Sequence, residues 1–185
     1  MNSVGDRNFT VDIRALTICD LLNEAGQVVP IRSLWEQQPV ILIFLRHFAC
    51  DACRLHALEV WENRALYEAK GAKIHFIGNG AAHFIHSFKQ QYNLDGASFF
   101  TDPTLKTFKA AGFRKGFWIN AGEMMSRSKF LVAAVRQELR RTGEGNVWQL
   151  GGVLAVKPGG KVTYQYTSQM IGDFPPSSDV PKMSS

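Results

Sequence analysis

The sequence predicts an α/β fold with a mixed central sheet flanked by helices, and three observations predict it. Residues 40–45 form a continuous apolar run, the pattern of a strand buried on both faces, and a helical pattern follows at once. Strand and helix patterns then alternate through residues 73–112, which implies parallel strands with helices on both faces of the sheet. Two strand patterns, 153–156 and 161–166, flank Lys157-Pro158-Gly159-Gly160, a turn that closes an antiparallel hairpin.

The 185 residues suffice for one domain with a sizeable core. Residues 1–16 carry little signal and read as a partly ordered lead-in. Residues 17–22 and 27–31 read as two strands joined by Asn23-Glu24-Ala25-Gly26, an N-terminal hairpin. Ser33, Leu34 and Trp35 make a helical turn before the apolar run. From Cys53 on, Leu58, Trp61, Ala65 and Ala69 fall on one helix face, and Gly71 is a stop signal. Residues 73–78 read as a second buried strand, and residues 81–92 as a helix carrying Phe84, Ile85 and Phe88. Residues 98–101 are a short strand. Asp102 and Pro103 then predict a helix start, with Asp as cap and Pro in the first position, ending near Gly112. Residues 113–146 read as a helical insert, with one helix over about 124–141 that sets Phe130, Leu131, Ala134 and Val135 on one side. The Pro- and Ser-rich tail, 175–185, reads as mobile. With no internal repeat, the expectation is a single domain over 1–185, its core spanning about 16–174.

Twenty-one Lys and Arg against 16 Asp and Glu give a formal net charge of +5, and much of the excess lies in residues 114–141. A solvated basic helix face accounts for it. The sharper reading is an electrostatic dock for an acidic partner or substrate. No nucleic-acid recognition motif accompanies the charge, so no nucleic-acid partner is expected. Hydrophobic residues make up 45%, yet no apolar run approaches a membrane span, and residues 1–10 lack the pattern of a signal peptide. These features lead to the expectation of a cytoplasmic protein without a membrane partner. Three cysteines with one close pair do not form a secreted disulfide framework. In a reducing compartment the Cys-x-x-Cys pair is redox-active or metal-binding, while Cys19 reads as a small buried hydrophobe.

Cys50 and Cys53 sit where the buried strand hands over to a helix. The free N–H groups of a helix's first turn favour negative charge, so a thiolate there is stabilised. Cys50 is therefore the candidate nucleophile and is expected to be the more exposed sulfur. Cys53, about one helical turn on, is close enough to form a disulfide with it. Arg46 and His47, just upstream, are candidate supports for the thiolate through charge or a hydrogen bond. A metal site built from Cys50, Cys53, His47 and His56 is the rival chemistry. It lacks a second Cys-x-x-Cys or a spaced His pair, so no bound metal or cofactor is expected. His56 reads as solvated or packed, His75 as a satisfied core histidine, and His83 with His86 as a helix pair without a third ligand. Phe113, Phe117 and Trp118 are either walls of a substrate cleft or ordinary core. Gly151-Gly152 implies close backbone approach, in one reading beside the cysteines.

The strand running into Cys-x-x-Cys at a helix start, with a closing hairpin, resembles the thioredoxin fold. The turn and strand over residues 20–34 and Asp102-Pro103-Thr104 resemble the corresponding parts of peroxiredoxins. More narrowly, Phe44-Leu45-Arg46-His47-Phe48-Ala49-Cys50, Cys53-Arg54 and Gln149-Leu150-Gly151-Gly152-Val153 resemble the peroxiredoxin-like AhpC/TSA family, which includes prostamide/prostaglandin F synthases and selenoprotein U relatives. Where peroxiredoxins carry a Pro and a Thr or Ser ahead of the reactive cysteine, this chain carries Ile43 and His47. The resemblance implies a thioredoxin-like (peroxiredoxin-like) fold and a thiol-dependent oxidoreductase. In that reading the Cys50 thiolate attacks a hydroperoxide, Cys53 resolves it as a disulfide, and a thioredoxin-type donor, ultimately fed by NADPH, reduces the pair. The alternatives are a thiol-disulfide reductase without peroxidase activity and a redox-inert or metal-binding interaction module. The resemblance is also compatible with a homodimer.

Overall fold

A computed structural model of the protein describes residues 10–48, 50–116, 145–170 and 172–175. Its centre is a seven-stranded mixed sheet in the order β2-β1-β5-β4-β3-β6-β7. β1 (Asp20–Leu22) and β2 (Val28–Pro30) form the N-terminal hairpin. β3 (Val40–Phe44), β4 (Lys73–Gly78) and β5 (Ser98–Thr101) run parallel. β6 (Gly152–Lys157) lies antiparallel to β3, and β7 (Lys161–Thr167) completes the closing hairpin with a register shift between Ala155 and Val156.

All five β3 residues are buried, and the two-residue alternation of a strand divides them between two cores. Ile41 and Ile43 join Phe76, Phe99, Val153 and Ala155 under α2 (Asp51–Glu62) and α4 (His83–Gln91). Val40, Leu42 and Phe44 join Ile77, Leu154 and Val156 under α1 (Ile13–Thr17) and α5 (Lys106–Ala110). Helices thus cover both faces, which is why the central strand reads as unbroken apolar sequence rather than as an alternating one. A third helix, α3 (Arg64–Glu68), follows α2 and buries Tyr67.

The elements depart from the sequence reading in three places. The helix face expected through Ala65 and Ala69 is interrupted at Asn63, which ends α2 and starts α3, and both alanines are exposed. Residues 13–17, placed in the lead-in and the first strand, are helical, with Asp12 accepting the Ala15 N–H as cap. The helix expected at Asp102-Pro103 begins later, at Lys106. Asp102 turns the chain first: Oδ1 accepts from the Thr104 N–H and hydroxyl, and Oδ2 from the Thr107 N–H and hydroxyl at 2.7 Å each. Leu105, at φ 60°, adopts the left-handed conformation that separates this turn from the helix.

The helix expected over about 124–141 lies outside the described residues, as do Phe117, Trp118, Met124, Met125 and Phe130 of the insert and all of the tail beyond residue 175. The flanks of the insert are held together. Lys115 and Gln149 bridge antiparallel, Gly116 N–H donates to Trp148 O at 2.7 Å, and Leu150 N–H donates to Arg114 O at 3.0 Å. Phe113, a candidate cleft wall, is 6% exposed and packs edge-on against Phe44 at 4.9 Å, so it belongs to the core.

The topology matters because β3, β4 and β5 end side by side. Loops leaving the carboxyl ends of parallel strands form the usual binding crevice of an open α/β sheet. Here the loop carrying the cysteines, the Gly78-Asn79-Gly80 turn and the Asp102 turn all leave that end.

Candidate active site

Cys50 is the N-cap of α2, with φ −83° and ψ 114°, and its sulfur accepts the Cys53 N–H at 3.4 Å. A residue at this position has its side chain among the unpaired N–H groups of the first helical turn. The sequence folds this way because β3 ends at Phe44, and the Cys50 N–H donates back to His47 O at 3.2 Å before the helix begins. The Leu45 N–H donates to Ile77 O, which carries the edge of the loop along β4.

Arg46 is drawn into the site from both ends. Its backbone N–H donates to the Cys53 sulfur at 3.2 Å, and its guanidinium donates through Nη1 to the Cys50 sulfur at 3.1 Å. Nη2 donates to Val147 O, which ties the guanidinium to the segment returning from the insert. Arg46 is only 3% exposed, so its charge is held on a sulfur rather than at the surface. His47 is buried as well, and its carbonyl is the Cys50 N–H acceptor.

Both sulfurs are covered: Cys50 is 1% exposed and Cys53 0%. The expectation of an open first cysteine and a covered second one is therefore corrected. The guanidinium that lies on Cys50 is itself buried, a contact that a helix-start motif alone does not reveal. All three cysteines are free thiols. Burial pushes the Cys53 thiol well above its ordinary range, and the hydrogen bond and charge of Cys50 add to this, while Arg46 opposes it. The two sulfurs are thus inequivalent in their electrostatic surroundings: the guanidinium and the helix-turn N–H converge on Cys50.

Gly151 and Gly152 meet the expectation of close approach. A Cβ on Gly151 would overlap Phe44 O, and one on Gly152 would overlap Phe113 and Tyr166 O. The former places the returning chain hard against the end of β3, from which the cysteine loop departs.

Among the described contacts, the remaining candidates have partners other than the sulfurs. His56 lies on α2, 5% exposed, with its ring stacked on Phe174 at 4.0 Å and 5° between planes; neither ring nitrogen has a hydrogen-bond partner among the described residues. His75 bonds Ser98 Oγ through Nδ1 at 2.9 Å. Burial lowers both histidines to about 4. His86 pairs with Glu24, and His83 lies beside the Phe84 ring. Cys19 is buried, and its thiol donates to Ala15 O. Among the described residues no three His, Cys, Asp or Glu side chains are arranged to hold a metal ion. No described helix is long and apolar enough to cross a membrane.

One residue at the site escaped the sequence reading. Asn79, 1% exposed, donates through Nδ2 to Arg46 O and, at 3.5 Å, to Asn146 O, while its Oδ1 accepts the Asn146 N–H. Its signal in the sequence is an amide between two glycines directly after a buried parallel strand.

Comparison with known proteins bears on the fold and the family. A family model described as AhpC/TSA antioxidant enzyme matches residues 60–169, beginning beyond the two cysteines. A prostamide/prostaglandin F synthase from Danio rerio is 30% identical over 182 residues, covering 94% of this chain and 88% of the relative. A chloroplastic thioredoxin-like protein AAED1 from Arabidopsis thaliana is 27% identical, covering 91% of this chain and 71% of the relative. The solved structure of peroxidoxin BcpB from Mycobacterium tuberculosis superposes with a TM-score of 0.63 at 13% identity, covering 90% of each chain. Peroxiredoxin Q from Xanthomonas campestris gives 0.62 at 12% identity, covering 86% of this chain and 87% of that one. These two likenesses establish a peroxiredoxin-type thioredoxin fold, as the sequence predicted. A family model that spans more than half of the chain and a relative at 30% identity along almost its whole length agree on the assignment: the chain belongs to the AhpC/TSA antioxidant enzyme family.

Proposed function

We propose that the protein is a thiol-dependent oxidoreductase that reduces hydroperoxides through Cys50. The observation that carries this reading is the convergence of the Arg46 guanidinium and the Cys53 N–H on one sulfur at a helix start. Both donors stabilise a thiolate more than a thiol. The Cys50 thiolate attacks one oxygen of the peroxide bond. The O–O bond breaks, the leaving alkoxide takes a proton, and Cys50 becomes a sulfenic acid. The Cys53 thiol then attacks that sulfur, its proton leaves with the hydroxyl as water, and a Cys50–Cys53 disulfide forms. A dithiol donor of the thioredoxin type restores both thiols and leaves as its own disulfide.

The division of labour follows from the surroundings of the two sulfurs. Cys53 is pushed toward the neutral thiol by burial and by Cys50. It therefore suits the second step, in which it needs to attack only after Cys50 has been oxidised. Arg46 supplies charge at the first sulfur, and His47 fixes the loop through its carbonyl. No prosthetic group enters this chemistry. A reducing cytoplasm is a compartment in which the proposed cycle, with both cysteines returned to thiols, can run.

The burial of both sulfurs, 1% and 0% exposed, favours a small peroxide over a bulky one in the first step. Stopped-flow consumption of hydrogen peroxide and of an organic hydroperoxide by the reduced protein tests the proposal. Turnover faster than that of free thiol, lost in Cys50→Ser, is expected. Rates no faster than free thiol, together with reduction of insulin disulfides, would replace it with a disulfide reductase.

A further inference from the structure

Arginine is a long side chain, and holding it in one rotamer costs up to about 2 kcal/mol of conformational entropy. For Arg46 to stay on the Cys50 sulfur, both its backbone and its guanidinium must be anchored. The backbone anchor is Arg46 O, and the far anchor is Val147 O, separated from it by 101 residues in sequence. One buried carboxamide touches both sides. Asn79 donates to Arg46 O and takes the N–H of Asn146, the residue before Val147.

The turn carrying Asn79 is itself fixed. The Thr101 hydroxyl, 0% exposed, is within hydrogen-bond distance of Gly78 O at 3.2 Å and Gly80 O at 2.8 Å. The Phe48 ring packs where a Cβ on Gly78 would stand, 2.5 Å from its Cζ. On the other side Gly145, at φ 124°, lets the returning chain come so close that a Cβ there would overlap the Asn79 backbone and side-chain oxygens. A neutral amide offers a donor and an acceptor at fixed separation, and no shorter neutral side chain offers both at that reach.

We propose that Asn79 is the positioning residue that holds the Arg46 guanidinium against the Cys50 sulfur, by clamping the cysteine loop to the segment containing Val147. The proposal rests on the reading of Cys50 as the reactive thiolate and adds a residue that touches neither the sulfur nor the peroxide. Loss of Asn79 frees Val147 relative to Arg46, so the guanidinium loses its far anchor while the helix-turn N–H remains.

The test reads ionisation of Cys50 rather than turnover. In the full chain carrying Cys19→Ser and Cys53→Ser, ultraviolet thiolate absorbance against pH and the alkylation rate by iodoacetamide report Cys50 alone. Arg46→Ala is expected to move the midpoint to higher pH and to slow alkylation at pH 7 by roughly tenfold, the effect of one charge-assisted hydrogen bond. Asn79→Ala is expected to move it in the same direction, slowing alkylation by at least about threefold. In the Arg46→Ala background Asn79→Ala adds nothing, because the two act through one contact. Asn79→Ser, which keeps a shorter donor, gives the same readout with a smaller effect and serves if the alanine variant does not fold. If Arg46→Ala shifts the midpoint and neither Asn79 variant does, Asn79 is only a brace and the proposal is overturned. The same holds if Asn79→Ala shifts it equally with Arg46 absent. If Arg46→Ala has no effect, the thiolate reading itself fails, and the positioning role falls with it.

Discussion

At the scale of single residues, the informative feature is how differently the structure treats its buried polar groups. Arg46 and Asn79 are buried with partners at both ends, whereas His56 is buried against a ring. A histidine in that setting is stable only when neutral. Burial lowers His56 and His75 from 6.5 to about 4. Between those values the unfolded chain takes up protons that the folded protein excludes, so stability is full above pH 6.5 and falls as pH drops toward 4. The loss is roughly 3 kcal/mol per histidine over that window. Urea unfolding at pH 7 and pH 4.5 checks this, and His56→Phe, which preserves the stack on Phe174, should remove about half of the acid-side loss. An equal loss in the variant would show that other groups set the acid limit. The helix-start placement of Cys50 and Cys53 was legible in the sequence because a Cys-x-x-Cys after a buried strand is a local pattern. Asn79 was not, because its meaning depends on Asn146, 67 residues away.

Among the elements, those with a continuous apolar run were legible to within a residue or two: β3 is buried throughout and β4 in all but its first residue. The short elements were less so. The five-residue α1 has no sustained period, and its cap, Asp12, is a common residue in loops too. The start of α5 was misplaced because the left-handed Leu105 is a backbone state that leucine rarely adopts and that its identity does not announce. The Asp102 turn is nonetheless a strong element. Its carboxylate, 1% exposed, satisfies four donors, so Asp102→Ala should cost about 2–4 kcal/mol in chemical denaturation. A loss below 0.5 kcal/mol would contradict the account of that turn. At the other edge of the site, Gly151→Ala would drive a Cβ into Phe44 O. The backbone must shift, and a lowered melting temperature together with slower Cys50 alkylation is expected. A fully native melting temperature would show that the two segments are not pressed together as described.

For the whole molecule, the sheet gathers at one end three loops that are far apart in sequence. Parallel β3, β4 and β5 finish together, and β6, antiparallel to β3, begins where they end. The segment entering β6 therefore meets the cysteine loop, where Val147 O accepts from Arg46 and Gly151 lies against Phe44 O, an outcome set by topology rather than by the motif. That is why the fold class was readable from the alternation of patterns while the enclosure of the site was not. Membership of the AhpC/TSA family accords with the architecture, and the proposed chemistry rests on the asymmetry between the two cysteines. The most direct test of that asymmetry is intact-mass spectrometry with peptide mapping after one equivalent of hydroperoxide. The wild-type protein should lose two hydrogens as Cys50 and Cys53 join, and Cys53→Ser should gain one oxygen, mapped to Cys50. An oxygen mapped instead to Cys53 in Cys50→Ser, with none on Cys50 in Cys53→Ser, would reverse the roles and contradict the account.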